Sequence, residues 1–91
     1  MEKCVHILVS GRVQGVYFRA SARERALELG LRGIVRNRRD GQVEIVAKGS
    51  ESSLERFLEW CRHGPAQAQV DDLLVEDWTG SFDYEGFTIA H

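Results

Sequence analysis

The sequence has no long hydrophobic run, and its 91 residues contain only two cysteines and one proline. The short apolar stretch near the N-terminus predicts neither a membrane-spanning helix nor a secretory leader, so we expect a cytoplasmic protein. Cys4 and Cys61 stand far apart and form no Cys-x-x-Cys pair, which argues against a local metal knuckle. We expect two reduced, packed thiols, with a disulfide between a strand and a helix as the less favoured alternative.

The sequence also has little net charge and no clear set of metal ligands. Its formal charge is −2, so nothing global indicates binding to nucleic acid or to an anionic membrane. The three histidines, His6, His63 and His91, lack the mutual spacing of a metal site. Residues 71–77 carry four acidic side chains, a pattern more typical of a polar edge strand than of a cation site. We therefore predict no metal and no cofactor.

The apolar periodicity predicts an alternation of strands and helices. Strands are expected at 4–9, 31–38, 42–48, 70–78 and 87–89, and a first helix at 17–29. A second helix follows Ser50 as N-cap and stops before Gly64-Pro65, with an apolar stripe of Leu54, Phe57, Leu58 and Cys61. This β-α-β-β-α-β order with a short closing strand predicts one α+β domain over 1–91, a ferredoxin-like sandwich.

The predicted sheet is mainly antiparallel and carries both helices on one face. The alternation of the first and third strands assigns the core face to Val5, Ile7, Val9, Val43, Ile45 and Ala47. The opposite, more open face receives His6, Leu8, Glu44, Val46 and Lys48. Arg36, Arg38 and Arg39 are interpreted as a solvated charge run that protects a sheet edge.

The stretch GRVQGVYFR, from Gly11 to Arg19, joins the first strand to the first helix. Two glycines in such a loop allow successive backbone N–H groups to converge on one point, where the positive end of the helix dipole reinforces them. Arg19 adds a permanent cation whose planar fork matches a phosphate or a carboxylate. An anion cradle and a tight strand–helix turn with a solvated arginine both fit these residues.

Resemblance to a known family favours the cradle. GRVQGVYFR resembles the first signature of the acylphosphatase family, which runs roughly G-x-V-Q-G-V-x-[FY]-R. Residues 33–43, GIVRNRRDGQV, followed by Gly49, resemble the second signature in the expected order and spacing. The resemblance extends to the C-terminal Tyr84-x-x-Phe87-x-Ile89, and so covers nearly the whole chain. Ile34 stands where relatives are commonly aromatic, and the chain ends in Ala90-His91 where many carry a basic and then an aromatic residue.

The resemblance implies a metal-independent acylphosphatase that cleaves an acyl phosphate into a carboxylate and inorganic phosphate. Its catalytic residues would be Arg19, on the phosphoryl group, and Asn37, on the attacking water. Its phosphate-binding loop would comprise Gln14, Gly15, Val16, Tyr17, Phe18 and Arg19. The expected partners are a small acyl phosphate as substrate and inorganic phosphate as product and inhibitor, and the expected state is a monomer.

The sequence fits three other functions less well. A relative of the acylphosphatase-like domain of carbamoyl-transferring maturation proteins is disfavoured by the short chain and the lack of following zinc-finger cysteines. A ferredoxin-like RNA-binding module is disfavoured because the third strand lacks the aromatic recognition motif. A regulatory module that only binds a phosphorylated metabolite would not need Asn37 beside Arg19.

Overall fold

The computed structural model describes residues 1–90 and contains five strands and two helices. In chain order they are β1 (Glu2–Arg12), α1 (Phe18–Glu28), β2 (Arg32–Asn37), β3 (Val43–Ser50), α2 (Glu51–Cys61), β4 (Gln69–Asp77) and β5 (Phe87–Ala90). The predicted elements are all present, and most bounds differ from the prediction by one to three residues. His91, one of the predicted departures from the family pattern, lies outside the described residues.

The strands form one sheet in the order β4-β1-β3-β2-β5. Only the pairing of β2 with β5 is parallel, and the other neighbours are antiparallel. The predicted ferredoxin-like α+β fold, with a mainly antiparallel sheet, is therefore confirmed. β1 is longer than expected because it pairs with both β3 and β4, and its pairing with β4 shifts register between Ser10 and Gly11. At Gly11, whose φ is 123°, a Cβ atom would lie 2.2 Å from the Gln69 carbonyl oxygen, so a side chain does not fit.

Both helices pack on one face of the sheet, where the hydrophobic core lies. The six residues predicted for this face are all buried. The indole of Trp60 stands between the two helices, with its ring centroid 5.3 Å from Phe18 and 6.1 Å from Phe57. This aromatic packing holds the start of α1 against the core.

Ser50 caps α2 as predicted, because its hydroxyl accepts a hydrogen bond from the Ser53 amide at 3.1 Å.

The face opposite the helices is less open than predicted. Val46 is buried there, although the alternation assigned it to the open face. The connection from β4 to β5 must pass from one sheet edge to the other, and its side chains contact this face. The Trp78 ring lies 5.5 Å from His6, and the Lys48 ammonium lies 5.3 Å from the Phe82 ring. This crossing segment covers the middle of the sheet.

The prediction that Arg36, Arg38 and Arg39 protect a sheet edge is wrong. β2 lies between β3 and β5, and the edges are β4 and β5. The acidic strand β4 is an edge strand, as predicted. Cys4 and Cys61 are both free thiols, and Cys61 is buried. Within residues 1–90, no helix is long and apolar enough to cross a membrane.

Candidate active site

The loop between β1 and α1 has an unusual backbone. Gly15 has a φ of 74° and Tyr17 a φ of 63°, so two residues of this short loop are left-handed. Such alternation turns neighbouring N–H groups to one side and forms an anion-binding concavity. A tyrosine in this conformation costs on the order of 1–3 kcal/mol, which the surrounding structure must offset. Val13 and Val16 anchor the loop, because both side chains are buried in the core.

The N-terminus of α1 opens into this concavity. Tyr17 is its N-cap residue but provides no side-chain cap, and the first turn contains no acidic residue. Within residues 1–90, the amides from Gly15 to Ala20 donate to no carbonyl of a turn or loop, whereas the Ser21 amide bonds to the Tyr17 carbonyl. Unpartnered amides and the positive end of the helix dipole both favour a bound anion here.

Arg19 projects from the first turn of α1 and is half-buried. Its guanidinium forms no ion pair with any carboxylate side chain of residues 1–90. A phosphate bound by the loop would therefore meet a permanent cation in addition to the amides. This arrangement supports the cradle rather than a solvated arginine on a plain turn.

Gln14 connects the loop to the β2–β3 hairpin by its side chain. The Gln14 amide nitrogen donates to the Arg38 carbonyl at 2.8 Å and to the Gln42 carbonyl at 2.9 Å. The sequence motif predicts Gln14 only as a member of the phosphate-binding loop, and does not predict this side-chain contact. The two hydrogen bonds fix the distance between the phosphate-binding loop and the end of β2.

Asn37 is the last residue of β2 and lies across a cavity from this loop. The cavity has a volume of about 410 Å³ and is lined by Val13, Gly15, Tyr17, Phe18, Arg19, Ala20, Asn37 and Ile89. The Asn37 side-chain oxygen Oδ1 is buried and has no hydrogen-bond partner within residues 1–90. Burying such an acceptor without a partner is unfavourable, so this oxygen is suited to accept a hydrogen bond from a bound water or ligand.

The structure thus brings both predicted catalytic residues, Arg19 and Asn37, to one cavity, and Arg19 is one of four predicted loop residues that line it. Gln14 and Val16 do not line it, and face a separate depression beside Arg12 and Gln67. Three lining residues, Val13, Ala20 and Ile89, were not predicted from the sequence. Ile89 lines the cavity because β5 pairs in parallel with β2, which places Ile89 opposite Val35. The sequence does not show that β5 pairs with β2.

A carboxylate on the other face of the sheet holds the strand that carries Asn37. Glu44 accepts a hydrogen bond from His6 at 2.6 Å and another from Arg36, and lies 3.6 Å from Arg38. Burial raises the pKa of Glu44, but the hydrogen bonds from His6 and Arg36 outweigh it and leave the pKa below its usual value. Because Arg36 and Arg38 flank Asn37 in sequence, one ionised carboxylate pairs with the side chains on both sides of it.

The remaining titratable groups do not add a nucleophile to the cavity. Burial raises the pKa of the Cys61 thiol, and to a smaller extent that of Cys4, so both thiols are protonated near neutral pH. Neither cysteine lines the cavity. Residues 1–90 contain no group of three or more histidine, cysteine or acidic side chains placed to hold a metal ion.

Fold and site together define a ferredoxin-like domain with a loop suited to bind an anion and with the Asn37 side-chain amide on the same cavity. The acylphosphatase family model matches residues 5–89. An acylphosphatase of Methylococcus capsulatus is 49% identical over 87 residues, covering 96% of this chain and 95% of that protein. The chain belongs to the acylphosphatase family, whose function is the hydrolysis of acyl phosphates.

Solved structures show the same relationship. An acylphosphatase from Coxiella burnetii superimposes with a TM-score of 0.91 at 44% identity, over 98% of this chain and 93% of that one. HypF from T. kodakarensis matches with a TM-score of 0.85 at 33% identity. The match covers all of this chain and only 12% of the HypF chain. The fold therefore occurs both as the main body of acylphosphatases and as one part of a much longer protein.

Proposed function

We propose that this chain hydrolyses acyl phosphates without a metal ion, using Arg19 and Asn37 as its catalytic residues. The observation that carries the proposal is that Arg19 and Asn37 line one cavity, and that the Asn37 side-chain oxygen has no hydrogen-bond partner within residues 1–90. The loop amides and Arg19 hold the phosphoryl oxygens, and Asn37 accepts a hydrogen bond from the attacking water. Gln14 is a positioning residue, since its two hydrogen bonds tie the loop to the hairpin that follows Asn37.

The reaction needs little proton transfer, which suits this set of residues. The water oxygen forms a bond to phosphorus while the bond from phosphorus to the acyl oxygen breaks. The electron pair leaves on a carboxylate, whose conjugate acid has a pKa of about 4, so no general acid is needed at neutral pH. The proton of the water passes to the phosphate product or to solvent. Positioning and electrostatic stabilisation of the phosphoryl oxygens therefore supply most of the catalysis.

Product inhibition, oligomeric state and location belong to the same proposal. Inorganic phosphate should compete with substrate, because it offers the same oxygens to the same amides and guanidinium. The protein should act as a monomer, since one chain supplies every residue that lines the cavity. It should work in the cytoplasm, because two free thiols in a small domain are typical of a reducing compartment.

The test is release of phosphate from benzoyl phosphate by the purified protein in excess chelator. We expect full activity with chelator, competitive inhibition by inorganic phosphate, and no measurable cleavage of an alkyl phosphate. An alkyl monoester expels an alkoxide, whose conjugate acid has a pKa near that of water at about 15.7, and neither Arg19 nor Asn37 can protonate it. Activity that disappears with chelator and returns with a divalent metal would contradict the proposed mechanism.

A further inference from the structure

Tyr17 has two features that the fold does not explain. It adopts a left-handed backbone that glycine would adopt with less strain, and its side chain is 77% exposed. Its ring stacks on no other aromatic ring of residues 1–90. The exposed Tyr17 side chain does not pack in the core, so core packing by this ring does not offset the backbone strain. Residues that keep such strain cluster at active sites and ligand-binding sites.

The cavity that Tyr17 lines has a polar and an apolar part. Arg19 and Asn37 supply charge and hydrogen bonding, whereas Val13, Ala20 and Ile89 present apolar side chains. A phosphoryl group is only a few times larger than the ~30 Å³ that a water molecule occupies in liquid water. The 410 Å³ cavity therefore has room for a further group beside the phosphoryl group.

The proposed chemistry leaves that group without an assigned partner. In an in-line displacement the attacking water and the departing acyl oxygen lie on opposite sides of phosphorus. The residue that holds the water therefore cannot also hold the acyl group. A protein contact to the acyl group must therefore come from other lining residues, and among these Tyr17 combines a large flat ring with a mostly exposed side chain.

We propose that the Tyr17 ring is the acyl-group contact of the site and makes it select acyl phosphates with a planar, apolar acyl group. The inference rests on the proposed function and extends it to the substrate class. An aromatic acyl group would cover the exposed ring, removing apolar area of both partners from water and adding an offset or edge-to-face contact. An acetyl group is too small to cover it.

The experiment compares kcat/KM for benzoyl phosphate with kcat/KM for acetyl phosphate in four proteins. They are the wild type, Tyr17→Phe, Tyr17→Ala and Tyr17→Gly. We expect the benzoyl-to-acetyl ratio to fall about threefold to tenfold in the alanine and glycine variants, the range typical of one lost aromatic contact. The fall should come from KM for benzoyl phosphate. Tyr17→Phe should keep the wild-type ratio, because it keeps the ring.

The alanine and glycine variants separate the ring from the backbone. Tyr17→Ala keeps a Cβ atom in the left-handed conformation, whereas Tyr17→Gly removes both ring and strain. Should the alanine variant not fold, the glycine variant still lacks the ring without the strain. Leu27→Ala is the matched control, since Leu27 is 45% exposed on the same helix and does not line the cavity.

An unchanged ratio in both truncated variants would overturn the inference, as would a ratio that alanine lowers and glycine restores. These results differ from failure of the proposed function, in which the wild type would hydrolyse neither substrate. A wild type that cleaves both substrates, with no effect of removing the ring, leaves the function intact and rejects Tyr17 as the acyl-group contact.

Discussion

Replacing Asn37 by alanine should separate catalysis from stability. The Asn37 Oδ1 atom is buried without a hydrogen-bond partner within residues 1–90. An unsatisfied buried acceptor costs about 1–3 kcal/mol, and a water that enters the cavity recovers part of this. Alanine removes the acceptor at the price of a few side-chain contacts. We therefore expect a free energy of unfolding equal to that of wild type or up to about 1 kcal/mol higher, and a Tm that is not lower.

Turnover should respond in the opposite way. Loss of one preorganised hydrogen-bonding group that acts in the transition state lowers kcat by about 10²- to 10³-fold. The affinity for inorganic phosphate should change little, because Arg19 and the loop amides remain. The measurements are kcat and KM with benzoyl phosphate, the inhibition constant of phosphate, and urea unfolding of the same preparations.

Two further variants sharpen this test. Asn37→Asp keeps an acceptor of similar shape but loses the amide donor and adds a negative charge, so phosphate should bind more weakly than to the alanine variant. Arg32→Ala, at the opposite end of β2, removes an exposed ion pair with Glu2 and a contact with the Phe82 ring. Neither partner lines the cavity, so this variant should keep near-normal kcat. Near-normal turnover in Asn37→Ala would refute the water-orienting role, and parallel losses of stability and turnover would assign Asn37 a structural role instead.

Two other substitutions test the rest of the site. Arg19→Ala should weaken inhibition by phosphate and also lower kcat by about 10³-fold, because in the proposed mechanism the guanidinium contacts bound phosphate and the transition state alike. Arg56→Ala, on the exposed face of α2, is the control. A change in kcat alone would contradict this account. Glu44→Gln should lower the free energy of unfolding by about 1.5–3 kcal/mol at pH 7, by the loss of hydrogen bonds to a charged group. Because the folded-state pKa of Glu44 is below its usual value, this stabilisation is complete above the unfolded pKa of about 4.3 and is lost as pH falls through the folded pKa. Urea unfolding from pH 7 to pH 3 should show the two proteins converging in acid, and a constant difference would contradict the linkage.

The core face could be predicted because alternation along β1 and β3 leaves little freedom. Val5, Ile7 and Val9 lie at every second position, so the face that they share must be the buried one. The two halves of the candidate site could be named from the sequence because each lies in a short contiguous motif, and the structure places both at one cavity. In both cases the information is local in the sequence.

The parts that could not be predicted all depend on contacts between distant residues. Ile89 lines the cavity only because β5 pairs with β2, and Val46 is buried only because the segment after β4 crosses the opposite face. The same pairing places β2 inside the sheet rather than at its edge. Periodicity shows which face of a strand is apolar, but it does not show which strand lies beside it.

The strained loop explains why the site depends on the whole sheet. The left-handed conformation of Tyr17 is unfavourable in an isolated segment and persists only where the surroundings fix it, whereas Gly15 adopts its positive φ without strain. Here Val13 and Val16 insert into the core, and the Gln14 side chain bonds to two carbonyls of the hairpin. The hairpin is in turn fixed by the carboxylate of Glu44, which β3 supplies. The anion-binding geometry is therefore a property of the packed sheet, and loosening either the core anchors or the Gln14 contacts should disorder the loop before the fold is lost.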